Sequence, residues 1–419
     1  MNILVIGGGG REHALGLAIS KSPLCKQLDF APGNPGMASL GTCHKANIED
    51  VDGLFELAKS LSPDLVVIGP EAPLVGGLAD KLEEAGIKAF GPTAAAAMLE
   101  GSKDFARQIC AHKNVPQPHF KAFDNAEAAL EYAHGLAGYC VIKADGLAAG
   151  KGVVVSDNMD EAGPAIIQML NGQFGSSSAS ILIEERISGP EISAFALIDG
   201  ERTIWLASAQ DHKRAYDDDK GPNTGGMGAI SPSPLINEAL RDEIMTTIIN
   251  PVAKAMDEAG TPYRGVLYAG LMLTEDGPKV IEFNCRFGDP EAEVILPRIE
   301  SDFVKLIDDL MDGQLARAEM ADDVAVTVIM ATNGYPGSYE KGSPIKNLDV
   351  ASADDNVTIY HAGTSIDTAG RLVASGGRVL AVTAKAEDAK SARDKVYDAV
   401  DKVIWEDGFY RRDIAKNAL

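Results

Sequence analysis

The chain opens on a short apolar run, Ile3-Leu4-Val5-Ile6, which breaks at Gly7-Gly8-Gly9-Gly10 and gives way to helical spacing from Arg11 to about Ile19. An unbroken run of this length reads as a strand, so the segment predicts strand, glycine turn and helix. The same order returns at Leu65-Val66-Val67-Ile68, Gly69-Pro70-Glu71 and a helical stretch ending at Gly86, followed by a strand through Lys88-Ala89-Phe90 to Gly91-Pro92. Strands alternating with helices predict a doubly wound parallel sheet over residues 1–104.

From about 105 the pattern changes. Cys140-Val141-Ile142-Lys143 and Val153-Val154-Val155 are separated only by a glycine-rich turn, which predicts an antiparallel hairpin. Further strands are expected at 181–183, 194–198 and 280–283, with a long helix near 236–259, so residues 105–315 read as α+β. After the acidic Ala321-Asp322-Asp323, strands from Val324 to Met330 and Arg378 to Thr383, closed by a helix from Ala386 to Val403, predict a small β-rich domain over 316–419.

Composition narrows the class. At 419 residues and 45% hydrophobic, the chain is too long for one compact core and divides into two to four domains. A net charge of −23 disfavours nucleic acid and acidic membranes, so anionic substrates must be met by local Lys, Arg and backbone N–H clusters. Five scattered cysteines with no CxxC pair argue against a disulfide framework or structural zinc. With no basic leader and no apolar run of membrane-spanning length, the expectation is a cytoplasmic enzyme.

Chemistry concentrates in a few segments. The first glycine run fails the GxGxxG spacing, since Glu12 or His13 stands at the third glycine position. What remains, Gly9, Gly10, Arg11 and Glu12 at a helix start, is either an anion-binding nest or a tight turn. The loop Asp145-Gly146-Leu147-Ala148-Ala149-Gly150-Lys151-Gly152 lies between strands and lacks the Walker A spacing; such a hairpin can close over a triphosphate, with Lys143 as a fixed cation on the preceding strand. Glu184, Glu185 and Ile187 end an apolar strand, with Glu191 just beyond, and can offer backbone groups and a carboxylate to a nucleoside or form a solvated strand end. On Val280-Ile281-Glu282-Phe283-Asn284, period two puts Glu282 and Asn284 on one face and Ile281 and Phe283 on the other. Two oxygen ligands so placed suit Mg²⁺ with phosphates completing the shell, or otherwise a polar strand face. Arg286, Asp289 and Glu291 crowd the next turn. Asp211, His212 and Lys213 precede the glycine-rich 221–229 loop, whose composition points to close ligand approach or gating.

These segments carry a resemblance. Gly-Gly-Arg-Glu-His-Ala at 9–14, Ala-Pro-Gly-Asn at 31–34, Gly-Pro-Glu-Ala-Pro-Leu at 69–74, Glu-Gly-Ser-Lys at 100–103, the 143–153 segment, Gln-Asp-His-Lys-Arg at 210–214, the 221–229 loop, Glu-Phe-Asn-Cys-Arg-Phe-Gly-Asp-Pro-Glu at 282–291, His-Ala-Gly-Thr at 361–364 and Gly-Gly-Arg-Val-Leu at 376–380 closely resemble the glycinamide ribonucleotide synthetases. The match runs across essentially the whole chain.

The resemblance implies an ATP-grasp fold over 105–315, with a lid subdomain near 118–190. It also implies ADP-forming ligation of glycine to 5-phosphoribosylamine in purine synthesis through a glycyl phosphate, with Mg²⁺ or Mn²⁺. It assigns Lys103, Lys143, Gly146, Gly150, Lys151 and Gly152 to ATP phosphates, Glu184, Glu185 and Ile187 to adenine, Glu191 to ribose, and Glu282 and Asn284 to the metal. Gly9, Gly10, Arg11, Glu12 and Asn34 look suited to the phosphoribosyl substrate. Arg286 is the expected partner of glycine's carboxylate and Asp211 of its ammonium, with Lys213 beside them.

Three departures stand out: Gly8 where many members carry Asn, Ala292-Glu293 where Thr-Gln is common, and no Asp in Tyr268-Ala269-Gly270-Leu271, on the strand before the metal strand. Competing readings are a biotin carboxylase-like ligase, an NAD-dependent oxidoreductase and a non-catalytic nucleotide sensor. The absent GxGxxG speaks against the oxidoreductase, and the retained Glu282, Asn284 and Arg286 against the sensor. The end of the chain at Leu419 leaves no space for a biotin-carrying domain and fits a single-function form, as a monomer or weak dimer.

Overall fold

The computed structural model describes residues 1–147, 152–172 and 180–418. Gly150 and Lys151 of the expected phosphate loop lie outside the described residues.

The N-terminal apolar runs form a five-stranded parallel sheet in the order Thr42–Cys43, Gln27–Pro32, Asn2–Gly7, Leu65–Ile68, Lys88–Phe90. Ile3 to Ile6 and Leu65 to Val67 are fully buried because helices cover both faces, which explains runs without alternation. The helix Gly10–Ser20 springs from the carboxyl end of the central strand, and the order reverses beside it, the usual place for a ligand crevice in such sheets.

The hairpin predicted at 140–155 is present. Cys140–Ala144 and Val153–Ser156 pair antiparallel inside a four-stranded sheet ordered Phe120–Phe123, Ile181–Glu185, Cys140–Ala144, Val153–Ser156. The helices Ala126–Gly135 and Met159–Leu170 bury an apolar face against it.

A larger sheet then runs Gly277–Asn284, Arg264–Thr274, Glu191–Asp199, Arg202–Asp211, Gly228–Ser231, Val324–Thr332, Arg378–Ala386, Val357–His361. The expected C-terminal β-rich region is therefore continuous with the central sheet, joined where Gly228–Ser231 pairs with both Arg202–Asp211 and Val324–Thr332. Sequence spacing has no signal for a seam between strands about 100 residues apart. The helical run at 238–258 is Glu238–Ile244 and Asn250–Glu258 with one π turn between them, as a single amphipathic segment covering the Ile248, Ile249, Val252 and Met256 core.

The strand Gly277–Asn284 departs from simple alternation. Its register shifts against Arg264–Thr274 between Gly270 and Leu271, so Gly270 faces Glu282 while Leu271 faces Val280. Ile281 is thus the extra residue of a bulge, and Val280 and Phe283, not Ile281 and Phe283, enter the core. The bulge keeps Glu282 and Asn284 on the open face and turns the Ile281 carbonyl toward two buried cations.

Candidate active site

Lys143 sits on an inner strand of the four-stranded sheet and is 4% exposed. Its ammonium lies 2.8 Å from Glu184 Oε2 and donates to the Ile281 carbonyl at 3.0 Å. Glu184 also accepts two bonds from Arg107, Nε to Oε1 at 2.7 Å and Nη2 to Oε2 at 3.0 Å. The same guanidinium donates to the carbonyls of Val280 and Ile281 at 3.0 and 2.7 Å. Burial raises the Glu184 carboxyl, but Lys143 and Arg107 outweigh it and hold the pKa down to about 2. Lys143 is pulled below its ordinary range by burial, which Glu184 only partly offsets. Two cations share one carboxylate in direct contact here, with Glu282 the next carboxylate acting on Lys143. The Glu184 carboxylate is therefore engaged with Lys143 and Arg107 on both of its oxygens.

Lys103 starts the helix Lys103–His112 and donates to the Gly146 carbonyl at 3.0 Å, while Ser102 Oγ and the Asp104 N–H bond the Asp145 carboxylate. Both ends of the glycine loop are thereby anchored, since the Ala144 N–H donates to the Gly152 carbonyl at 2.8 Å. Gly146 at φ +131° occupies a conformation that side chains disfavour. Glu185 accepts from the His119 N–H at 3.2 Å, and Ile187 is half-buried in the segment leading to Glu191.

On the open face of the bulged strand, the side chains of Glu282 and Asn284 make no hydrogen bond or ion pair with the described residues, which suits oxygen ligands awaiting a hard cation. Burial pushes the Glu282 carboxyl up, yet Lys213, Lys143, Lys103 and Arg286 together bring it below its ordinary value. Among the described residues no cluster of three or more His, Cys, Asp or Glu side chains could hold a metal alone. Two protein oxygens plus substrate phosphates remain the arrangement these residues fit.

Lys213 lies 2.7 Å from Glu191 Oε2 and 3.6 Å from Asp211 Oδ1. Burial lowers its pKa, but the two carboxylates outweigh that and hold it well above the ordinary lysine value. Arg286 donates to Glu100 Oε1 at 2.7 Å and lies 3.3 Å from Glu71 Oε2, within ion-pair reach but not aligned as a hydrogen bond through Nε. Its neighbour Glu291 accepts from Ser193 Oγ at 3.1 Å. Lys143, Glu282, Asn284 and Arg286 thus hang on or beside one stretch of chain, 280–286.

The N-terminal turn is more self-contained than its glycines suggest. Glu12 accepts the Gly9 N–H at 2.7 Å and pairs with Arg11 Nε at 2.5 Å, and Arg11 Nη1 reaches the Phe287 carbonyl at 3.2 Å. Gly7, at φ +119°, and Gly69 make room for that carboxylate: a Cβ on either would lie within 2.6 Å of a Glu12 side-chain atom. Asn34 donates to the carbonyls of Gly8 and His361 at 3.0 and 2.7 Å and accepts from the N–H groups of Gly36 and Met37 at 3.0 and 3.1 Å. All four of its hydrogen-bonding positions are occupied, so the Asn34 side chain shapes the turn and ties it to the C-terminal region.

Profiles of the phosphoribosylglycinamide synthetase N, ATP-grasp and C domains match residues 1–100, 101–292 and 325–417. The chain belongs to the phosphoribosylamine–glycine ligase family. A member from Brucella melitensis is 46% identical over 421 residues, covering 100% of this chain and 98% of that protein. The chloroplastic ligase of Arabidopsis thaliana is 50% identical over 98% of this chain and 79% of its own length. The crystal structure of phosphoribosylamine–glycine ligase from Thermotoga maritima superposes with a TM-score of 0.85 at 32% identity, covering 99% of this chain and all of that one. A biotin carboxylase from Campylobacter jejuni, at TM-score 0.75 and 15% identity, shares the fold alone.

The chain is accordingly an ATP-grasp carbon–nitrogen ligase of purine biosynthesis. Among the described residues no helix is long and apolar enough to cross a membrane.

Sequence reasoning missed Arg107, Glu71, Glu100 and Arg378. Glu71, Glu100 and Arg378 lie inside quoted motifs. Arg107 left a weaker signal, a charged residue amid Ala106, Ile109 and Cys110 on the buried stripe of its helix.

Proposed function

We propose that this ligase joins glycine to 5-phosphoribosylamine in two steps on the surface formed around residues 280–286. A glycine carboxylate oxygen attacks the γ-phosphorus of ATP, ADP leaves, and glycyl phosphate forms. The amine then attacks the acyl carbon, its nitrogen gives up a proton, and inorganic phosphate departs with the bonding pair. No enzyme nucleophile is needed, because positioning and charge neutralisation do the chemistry.

The single observation that supports this reading is the shared strand. The Ile281 carbonyl fixes Lys143 and Arg107, Glu282 and Asn284 project next, and Arg286 follows. A phosphate cation, two metal ligands and a guanidinium are thereby set side by side. In this reading Lys103, Lys143 and the hairpin carrying Gly146 and Gly152 face the ATP phosphates, Glu185 and Ile187 border the adenine, and Glu191 takes the ribose. Asp211 meets glycine's ammonium with Lys213 beside it, and Arg286 meets the carboxylate. Gly9 to Glu12 border the acceptor. Glu282 and Asn284 would hold Mg²⁺ or Mn²⁺, which neutralises the phosphate oxygens.

The domain limits that go with this reading are 1–104, 105–315 and 316–419, in a cytoplasmic monomer or weak dimer with small-molecule partners and no nucleic acid.

Trapping with hydroxylamine tests it. With ATP, glycine and Mg²⁺ but no phosphoribosylamine, glycine hydroxamate and ADP should form together; ADP release only when phosphoribosylamine is also present, with no hydroxamate, would overturn the acyl phosphate route.

A further inference from the structure

The segment Asp211-His212-Lys213 runs into a two-stranded hairpin, Arg214–Tyr216 paired with Lys220–Asn223, which belongs to no larger sheet. Of its two strands only Ala215 is buried. An isolated hairpin with so little apolar cover is marginal in water, so its placement must come from contacts outside it. The connecting turn adds to that demand. Asp218 and Asp219 sit at φ +59° and +51°, and Ala415, in the segment packed against the hairpin, at +58°. Left-handed residues other than glycine persist where the surrounding contacts hold them.

Arg411 supplies the central contacts, and it is 2% exposed. Its Nε and Nη2 donate to the two carboxylate oxygens of Asp413, each at 2.7 Å, while Nη1 donates to the Arg214 carbonyl at 3.0 Å and to Asp219 Oδ1 at 2.8 Å. One guanidinium thus joins the first strand of the hairpin, its turn and Asp413. Around it the Asp218 N–H donates to Asp413 Oδ2 at 2.8 Å and the Arg412 N–H to Asp217 Oδ1 at 2.7 Å. The Ala415 N–H reaches His212 Nε2 at 3.4 Å, and a Cβ on Gly228 would lie 2.8 Å from Ile414 Cγ2. Tyr397 Oη donates to the Arg411 carbonyl at 2.8 Å and accepts from the Ile414 N–H at 3.1 Å, which ties the whole clamp to the helix Ala389–Val400.

The clamp ends one residue from the site. Arg214, whose carbonyl it holds, directly follows Lys213, and the Lys213 carbonyl accepts from both the N–H and the hydroxyl of Thr224 at 2.8 Å. The Lys213 ammonium in turn lies between Glu191 and Asp211. A displacement of about 1 Å is enough to spoil such a geometry. We propose that Arg411 is a positioning residue for the glycine subsite: it fixes the hairpin, and through it the places of Lys213 and Asp211. This rests on the ligase reading above, in which Asp211 takes glycine's ammonium, and adds to it a residue of the C-terminal region that acts on glycine through the hairpin.

The test compares Arg411→Met, which removes every donor, with Arg411→Lys, whose single ammonium can meet Asp413 but not the Arg214 carbonyl and Asp219 as well. In full-length enzyme assayed well below its melting temperature, Arg411→Met should raise KM for glycine at least about tenfold, with kcat and KM for ATP changing less than about threefold. Arg411→Lys should recover part of this and stay about threefold above the parent. Trp405→Phe serves as the control for stability alone. Trp405 packs in the same C-terminal core and donates to Ser343 Oγ at 2.9 Å, so this variant should melt lower and keep its glycine KM within about twofold. A folded Arg411→Met with an unchanged glycine KM, an equal rise for all three substrates, or the same glycine rise in Trp405→Phe would each reduce Arg411 to a residue that only stabilises the fold. If Arg411→Met does not fold, Arg411→Lys decides alone, and an unchanged glycine KM there overturns the proposal. Failure of the underlying reading would show separately, as an unchanged glycine KM in Asp211→Asn.

Discussion

Two buried ion clusters hang on the stretch 280–286, and their charges are opposite in sense. At Lys143, two cations share Glu184 and both lean on the carbonyl of Ile281. At Arg286, one cation is shared by Glu100 and Glu71. In direct contact, the first cluster sets two cations against one carboxylate and the second sets one guanidinium between two carboxylates. In a protein of net charge −23, buried cations held on a single carboxylate are costly unless a ligand supplies further counter-charge, which is why we propose the Lys143 cluster as the seat of the triphosphate. The Arg286 cluster acts differently. Its carboxylates orient a guanidinium that, in the proposed reading, meets one small carboxylate, giving direction to recognition more than raw attraction.

The largest expected effect breaks the first cluster. Lys143→Ala removes the ammonium that the phosphates need and leaves Glu184 with Arg107 alone. We expect kcat/KM for ATP to fall at least about 100-fold, roughly 2.7 kcal/mol, and the loss should exceed that of any single change at Arg286. Steady-state kinetics at varied ATP, beside a melting curve that confirms folding, would check it; near-normal turnover would refute a phosphate role for Lys143.

Glu282 lies between the clusters, and Lys213, Lys143, Lys103 and Arg286 together outweigh burial and hold its carboxyl below its ordinary value. Glu282→Gln is nearly isosteric but takes away the charge a hard cation requires. The Mg²⁺ concentration for half-maximal activity should rise about tenfold or more, without a fall in melting temperature. An unchanged Mg²⁺ titration would return Glu282 to an ordinary polar strand face.

Which parts of this were legible in the sequence follows from the range of the interactions. The parallel sheet and the hairpin were readable because their signals, unbroken apolar runs and a glycine turn between β-branched stretches, lie within about ten residues. Glu282 and Asn284 were readable as neighbours on one face, since two-residue periodicity survives the bulge on that side. The bulge itself was not, because it depends on Gly270 across the sheet allowing the close approach of Glu282. Arg107 and Glu184 are 77 residues apart, Glu100 and Arg286 are 186 apart, and Asn34 reaches His361 across 327. No spacing rule connects such pairs. The first glycine run, readable as an anion nest or a tight turn from glycine count and helix start, is bordered by Glu12, Asp289 and Glu293, two of them distant in sequence.

A smaller effect is expected at the second cluster. Arg286→Lys keeps a charge but offers one ammonium where Glu100, Glu71 and a substrate carboxylate each need a donor direction. KM for glycine should rise about tenfold, roughly 1.4 kcal/mol, while KM for ATP changes less than threefold. A rise confined to phosphoribosylamine would assign Arg286 to the acceptor and leave glycine to Asp211 and Lys213.

The smallest effect isolates the excess negative charge that distinguishes the two clusters. Burial raises the Glu71 carboxyl, but the guanidiniums of Arg286 and Arg11 outweigh it and hold its pKa near about 2, below the ordinary 4.5. A folded-state pKa below the unfolded one means the unfolded chain binds the proton first. The stabilisation is therefore fully present above pH 4.5 and is lost as pH falls toward 2. Because the Glu71 side chain is 32% exposed, solvent screening reduces the contribution to of order 1 kcal/mol. Glu71→Gln should accordingly be less stable than the parent by about that amount at pH 7 in denaturant titrations, and the difference should narrow between pH 4.5 and 3 as the Glu71 carboxyl of the parent's unfolded chain takes up its proton. Glu100 still pairs with Arg286 in this variant, so glycine KM should change less than in Arg286→Lys. A stability difference that stayed constant down to pH 3 would show that the ionised form of Glu71 contributes nothing, and the charge contrast between the clusters would then rest on Glu100 alone.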